Sequence, residues 1–356
     1  MSSRPVMLYL TEAESFRPDG PPPGFLQSFA PEYEIRSIGI PYHGLIRLIL
    51  RLFPLLLFSR RPAIFFTTSY SLTFAILLFQ ALTFSRARHI SVSLNLSRRP
   101  LKFDNRAVNA LINRLFARLD LVLVHSMHEV GLFHDLHAIP REKFVFVHWG
   151  YDLPVFDSTR FDDHSKPYFC MIGRNNRDRA SFLSAMRDLP AHGVLVAPAY
   201  APVDPATVPD NVEVLYDIPN DDCLNCIANS RANIILVNDE NSGAGHITAV
   251  YAMHLGIPQV VSNAMPLREY FIDGFNAVMV PIGDAAAVRT ALTALLDDDT
   301  RSARIADNGT EAARNWLHTA VTEQRMARIV RDFLEGRPVD IVDPAWTRWR
   351  DSLTTA

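Results

Sequence analysis

The feature that most constrains this chain is an alternation of short apolar runs with helical segments, occurring twice. In the first half the apolar runs are Val6–Leu10, Pro62–Thr68, His89–Leu94 (HISVSL), Leu121–His125 (LVLVH) and Lys143–His148. A polar stretch, Asp157–Pro167 (DSTRFDDHSKP), carries no apolar period and reads as a linker. The pattern then restarts with Tyr168–Ile172, Val194–Ala197, Val212–Leu215, Ile234–Val237, Gln259–Ser262 and Ala277–Val280. Runs this short and this apolar suit strands buried on both faces, and such strands need helical crossovers between them. Helical spacing fills the gaps over 106–119, 249–255, 285–296, 301–316 and 319–334, and Gly256 stands where a helix C-cap is expected. Ser126 with Glu129 three residues on predicts a capping box. The expected fold is therefore α/β: two tandem doubly wound, Rossmann-like domains facing a cleft, with ligands beyond the carboxyl ends of the strands. The expected boundaries are 1–158 and 159–318, with a final helix and tail, 319–356, crossing back to the first domain.

Composition narrows the function classes. The 356 residues are 48% hydrophobic, enough for two cores, and the net charge of −3 gives no bulk case for nucleic acid. Cys170, Cys223 and Cys226 form no disulfide framework, which fits a cytoplasmic protein; Cys223 and Cys226 read as core residues one helical turn apart. No cluster of His, Cys or carboxylates has metal-ligand spacing, so no metal and no cofactor are expected. The N-terminus, MSSRPVMLYLTEAES, reads as a first strand and not as a signal peptide. Leu45–Phe58 (LIRLILRLFPLLLF) and Leu72–Phe84 are unusually apolar, yet both fall short of the roughly 20 residues a membrane span needs. With Arg47 and Arg51 on one helical face, the first run reads as an interfacial helix that contacts a membrane surface peripherally.

Four stretches carry a resemblance. "VFVHWGYD" (Val145–Asp152), "CMIGRNNRD" (Cys170–Asp178), "AVYAMHLGIPQVVSN" (Ala249–Asn263) and "LREYFIDGFNAVMVPIGD" (Leu267–Asp284) occur in the order and spacing of GT-B glycosyltransferases. The chain resembles glycosyltransferase family 4, most clearly from Tyr168 to Leu334, while the first 120 residues carry little family signal. The resemblance implies transfer of a sugar from a nucleotide-sugar donor to a glycan or lipid-linked acceptor, with retention, in polysaccharide or glycoconjugate biosynthesis. Two other readings stay open: a non-catalytic GT-B protein that binds glycan or nucleotide, and another GT-B enzyme such as a sugar-nucleotide epimerase.

The chemistry of such a reaction selects residues. A departing diphosphate needs cations and backbone N–H groups. Arg174 and Arg177 follow a strand in a Gly/Asn turn, and arginine meets phosphate with two parallel donors; the resemblance gives Arg174 the diphosphate contact. Gly243, Gly245, His246 and Thr248 would form a phosphate turn at a helix N-terminus. The family resembled places two glutamates eight positions apart around this turn. Here those positions are Gly243 and Tyr251, so recognition of sugar and ribose passes to Tyr251, Glu240 or Glu269. In the first domain, Asn95 after HISVSL, with His125 in reserve, is expected at the reacting carbon, and no carboxylate stands out as a base. "DGPPPGF" (Asp19–Phe25) replaces the usual glycine-rich loop.

Overall fold

A computed structural model describes residues 4–58, 61–94, 101–157, 167–241 and 244–354. The chain divides into two compact units, 1–147 with 323–352, and His148–Thr322. The first division thus precedes the polar linker: His148–Asp157 goes with the second unit.

Unit 1 runs β1 (Val6–Glu12), α1 (Gly24–Gln27), β2 (Glu34–Ile40), α2 (Leu45–Leu57), β3 (Ile64–Thr67), α3 (Tyr70–Leu82), β4 (Arg88–Ser91), α4 (Arg106–Phe116), β5 (Leu121–Val124), α5 (Met127–His137) and β6 (Phe144–Phe146). All six strands are parallel in the order β2-β1-β3-β4-β5-β6. The order reverses between β1 and β3, which makes their carboxyl ends the switch point of this sheet. Local chemistry sets the helix starts. Ser69 accepts from the N–H of Leu72 to open α3, Asn105 caps α4, and Ser126 with Glu129 forms the capping box of α5. Helix α2 turns Leu48, Leu52 and Leu56 onto the sheet, where they join Leu8, Ile38 and Phe65; α3 is apolar nearly all round and is buried along most of its length.

A buried polar network threads the face of unit 1 covered by α3. His89, fully buried on β4, meets the Thr67 hydroxyl through Nε2 (3.0 Å) and Gln80 Oε1 through Nδ1 (3.1 Å). The Gln80 amide nitrogen donates to the Ala87 carbonyl, so its oxygen accepts and His89 Nδ1 carries the proton. Burial pushes His89 down to about 3, so it is neutral at ordinary pH. Beside it, Tyr70 pairs with His137, which stacks on Phe116 at 4.1 Å; burial lowers His137 to about 4 and raises Tyr70 to about 12.

Unit 2 runs β7 (Tyr168–Ile172), α6 (Arg179–Met186), β8 (His192–Ala197), β9 (Val212–Tyr216), α7 (Asn220–Ala228), β10 (Ala232–Ile235), α8 (His246–His254), β11 (Gln259–Ser262), β12 (Val278–Val280), α9 (Ala285–Asp297) and α10 (Asp299–Ala312). Its six parallel strands lie in the order β12-β11-β10-β7-β8-β9, so the switch point falls between β7 and β10. Gly256, at φ +67°, ends α8 in the left-handed turn that favours glycine. Cys226 is buried against Tyr168 and Cys170; burial lifts the Cys223 thiol to about 11, and all three cysteines are free thiols.

Two further helices close the chain: α11 (Thr319–Leu334), most of which packs with unit 1, and α12 (Pro344–Thr354). Ile329 and Val330 enter the core beneath β1 and β3, and Glu323 accepts from the N–H of Gly24 at 2.8 Å. That contact gives the proline-rich DGPPPGF loop its fixed end: a Cβ at Gly24 would overlap the Glu323 carboxylate. Asp343 holds Arg325 and Arg328 (2.6 Å), and Trp346 is buried against Trp349.

Candidate functional site

In unit 2 the site is built where β7 and β10 part. Strand β7 ends at Gly173, whose φ of +152° and lack of a side chain let the Arg177 guanidinium fold back across it. Arg177 donates from Nε to the Ile172 carbonyl (3.2 Å) and from Nη1 to the Asn175 carbonyl (3.1 Å). The Asp178 N–H donates to the Leu236 carbonyl (3.0 Å), tying this loop to the strand end next door, and the Asp178 side chain caps α6 through the N–H of Ser181. Across the switch point stands Gly245, the N-cap of α8, at φ +106°. Arg177 Nη2 and Nη1 lie 3.6 and 3.7 Å from where a Gly245 Cβ would be, and that Cβ would also stand 2.6 Å from Ile235. Only glycine fits, and as the N-cap it brings no side chain of its own to the first N–H groups of α8. A guanidinium beside a helix N-terminus is a place where an anion is favoured twice, by charge and by the helix dipole. Burial and the neighbouring Arg179 lower Arg177 to about 10, which leaves it charged at neutral pH.

The other residues singled out from the sequence fall into distinct groups. Arg174 is exposed and reaches toward Asp217, beyond the end of β9, at 3.9 Å; its carbonyl accepts from Tyr200. Arg179 turns away, donating to the Ala201 carbonyl at 2.8 Å, and lines a cavity of about 550 Å³ with Arg187 and Leu183. His246 is not an exposed first-turn residue. It is buried, bonded through Nε2 to the Pro266 carbonyl (2.9 Å), and packed 4.5 Å from the Tyr270 ring. Thr248 donates its hydroxyl back to the Gly245 carbonyl at 2.9 Å, which steadies the turn. Glu240 is exposed in the loop after β10, 3.8 Å from Arg268, and its carbonyl accepts from Met265. Glu269 is half-buried beside Tyr270, and its carbonyl meets His148 Nε2 at 3.0 Å. Tyr251 lies half-buried on α8 with its ring 6.0 Å from Tyr151, which stacks on Trp149; burial and Tyr251 raise Tyr151 to about 12. Gly243 and Asn95 lie outside the described residues.

In unit 1, His125 directly follows β5, two strands from the switch point. It is buried, its Nδ1 is 2.8 Å from the Val147 carbonyl, and its own N–H donates to Glu129. The switch point carries residues that sequence reasoning passed over: Thr11 and Glu12 at the end of β1, Thr68 and Ser69 after β3. Ser69 donates to Glu12 Oε1 at 2.7 Å while accepting from α3, and Thr68 donates to Thr11 at 3.1 Å. Glu12 is thus a carboxylate held beside the N-terminus of α3 by the Ser69 hydroxyl. Its signal was present in the sequence as an acid directly after a buried strand. Among the described residues no group of three or more His, Cys, Asp or Glu is placed to hold a metal ion.

Comparison with known proteins agrees with this layout. Residues 199–312 match the family described as "Glycosyl transferases group 1". A phosphatidyl-myo-inositol mannosyltransferase of Mycobacterium leprae (strain TN) is 39% identical over 80 residues, 22% of this chain and 21% of that relative's length. The chain therefore matches about a fifth of the curated relative. Among solved structures, a sucrose-phosphate synthase from Thermosynechococcus elongatus superposes with TM-score 0.69 at 13% identity, over 94% of this chain and 100% of the other. Anabaena HepE in complex with UDP-glucose gives 0.68 at 13% identity, over 92% and 99%. A lipopolysaccharide outer core galactosyltransferase, WaaB, gives 0.66 at 10% identity, over 93% and 99%. The chain has the GT-B fold, and residues 199–312 of its second unit are similar to the family described as "Glycosyl transferases group 1".

Proposed function

We infer that the protein is a glycosyltransferase that moves a sugar from a nucleotide-sugar donor to a hydroxyl of a glycan or lipid-linked acceptor in polysaccharide or glycoconjugate biosynthesis. The observation that carries this reading is Arg177 against Gly245 at the N-terminus of α8. That pair sits at the switch point, where open parallel sheets take their ligands, and neighbours of the same fold were solved with UDP and UDP-glucose. Three cysteines that form no disulfide fit a cytoplasmic reaction.

In this reading the bond from the anomeric carbon to the distal phosphate oxygen breaks, and negative charge grows on the diphosphate. Arg177 and the α8 N–H groups stabilise that charge in place, and Arg174 swings in from Asp217 to add a second fork. The acceptor oxygen forms its bond to the same face of the sugar, and its proton passes to the departing phosphate oxygen, which gives retention without a separate base. Glu12 accepts a hydrogen bond from an acceptor hydroxyl and orients it. Tyr251 offers its hydroxyl to the ribose, and Glu240 and Glu269 flank the sugar side. His246 and Thr248 act by holding the turn, not by touching phosphate with their side chains.

The test is a thermal-shift screen of UDP-, GDP-, ADP- and CMP-sugars followed by an assay of slow donor hydrolysis. A shift with one nucleotide class and hydrolysis of that donor support the reading. Absence of any shift favours a protein without donor chemistry, and conversion of the sugar nucleotide to an epimer would replace transfer with epimerisation.

A further inference from the structure

The least conventional surface of the molecule lies on unit 1, away from both switch points. Helix α2 buries Leu48, Leu52 and Leu56, so a surface helix should turn polar residues outward. It turns out Ile46 (75% exposed), Leu50 (66%), Leu57 (60%) and the following Phe58 (91%), with Arg47 and Arg51 between them. The patch continues onto the neighbouring helix. Phe53 packs edge-on against Phe79 at 5.4 Å, which sets the last turns of α2 and α3 side by side. Just beyond that contact, α3 ends in Leu82 (63% exposed) and Phe84 (88%), the latter held outward by a left-handed backbone at φ +53°. Both helices run back along parallel strands, so their ends meet at the amino-terminal edge of the sheet, opposite the carboxyl ends that carry Glu12.

Charge identifies the occupant. Residues 35–103 contain no aspartate or glutamate and ten arginines and lysines, in a chain whose net charge is −3. Arg47, Arg51, Arg61 and Arg86 are part of that span, are exposed, and stand within three residues of Leu50, Phe58 or Phe84 in the chain. A protein partner of ordinary composition would match exposed arginines with discrete carboxylates and would not call for two phenylalanines at protruding helix ends. A bilayer with anionic headgroups matches both: phosphates for the arginines, the acyl boundary for Phe58 and Phe84. No helix among the described residues is long and apolar enough to cross a membrane, so the contact lies in the interface. We propose that the ends of α2 and α3, led by Phe58 and Phe84 and ringed by Arg51, Arg61 and Arg86, form a docking surface for anionic phospholipid. Docking there leaves the carboxyl ends of the unit 1 strands pointing away from the headgroups that hold it.

Flotation of the full chain with unilamellar vesicles tests this directly. One set is phosphatidylcholine alone; the other contains 30% phosphatidylglycerol, a composition chosen to be on the order of biological anionic surfaces. The expected result is binding to the anionic set at least tenfold above the neutral set, lost in high salt. Phe58→Asp with Phe84→Asp, and separately Arg47→Glu with Arg51→Glu, should each lower bound protein about tenfold or more. Because all four side chains are exposed, melting temperature and nucleotide-induced shifts should stay as in the parent, which separates loss of docking from loss of fold or donor site. Failure of the parent protein to float with anionic vesicles overturns the proposal. So does equal binding to both sets, or binding that neither double variant changes. Conversion of a vesicle-free dimer to monomer by Phe58→Asp with Phe84→Asp would assign the surface to a second copy and overturn it as well.

Discussion

The two units share a six-stranded parallel plan but spend their polar residues differently. Unit 2 places its cation at the switch point: Arg177 faces Gly245, and glycines at 173 and 245 keep that space open. Unit 1 buries polar groups against α3, where Thr67, His89 and Gln80 bond one another and Tyr70 pairs with His137, and it carries the carboxylate of Glu12 at its switch point. The same scaffold therefore carries a guanidinium beside a helix N-terminus in one copy and, in the other, a carboxylate bonded to a helix-capping serine. The family match, residues 199–312, falls in unit 2 and includes Gly245.

The sharpest way to break this contrast is to close the space in unit 2. Gly245→Val forces a branched side chain into a left-handed position and onto Ile235. Donor hydrolysis should fall at least 100-fold and nucleotide-induced stabilisation should vanish; retention of either would show that the turn is not the phosphate site.

His89→Ala tests unit 1 by stability. It leaves Gln80 and Thr67 without their buried partner and opens a cavity, a loss of about 3 kcal/mol. Calorimetry should show the fall while nucleotide affinity, measured well below the melting temperature, stays within about twofold.

The same histidine gives unit 1 a pH signature. His89 and His137 have folded values of about 3 and 4, below the ordinary 6.5 of the unfolded chain. Above pH 6.5 both states are neutral and the stability is fully present. As pH falls from 6.5 toward 4 the unfolded chain takes up protons that the folded one refuses, and stability is lost. Urea midpoints should drop across that window, and a smaller drop is expected in His89→Gln, which removes one of the two groups.

Smaller effects belong to substrate selection. Glu12→Gln should raise the acceptor KM about tenfold with donor hydrolysis unchanged, whereas a purely structural role at the α3 terminus would move melting temperature and leave KM alone. Tyr251→Phe should weaken nucleotide binding about threefold, the value of one exposed hydrogen bond.

Much of this was legible in the sequence. The paired apolar runs specify the two sheets, and Ser126 with Glu129 specifies the α5 cap that the structure forms. Strand β2 escaped notice because EIRSIGI lies at a sheet edge, with Glu34, Ile35 and Arg36 not buried and only the last four residues buried, so it forms no continuous apolar run. Strand β10 begins at Ala232 and ends at Ile235, two residues earlier than the Ile234–Val237 run, since Leu236 and Val237 stay buried after the ladder stops. The site was legible as residue types and not as directions. Arg174, Arg177 and Arg179 stand two or three apart in one loop, yet the first reaches toward Asp217, the second lies on Gly245 and the third donates to Ala201. His246 reads as a ligand-facing residue from its place after the glycines; its burial is set by Tyr270 and Pro266, some twenty residues away.

The central claim is that the β7 loop and the α8 N-terminus bind a nucleoside diphosphate. Isothermal titration of UDP and GDP into the parent protein, Arg177→Ala and Arg174→Ala tests it most directly. The account predicts saturable binding of one nucleotide by the parent, a loss of affinity of at least thirtyfold in Arg177→Ala, and a loss of about tenfold in Arg174→Ala. Binding by the parent that neither substitution weakens would contradict it.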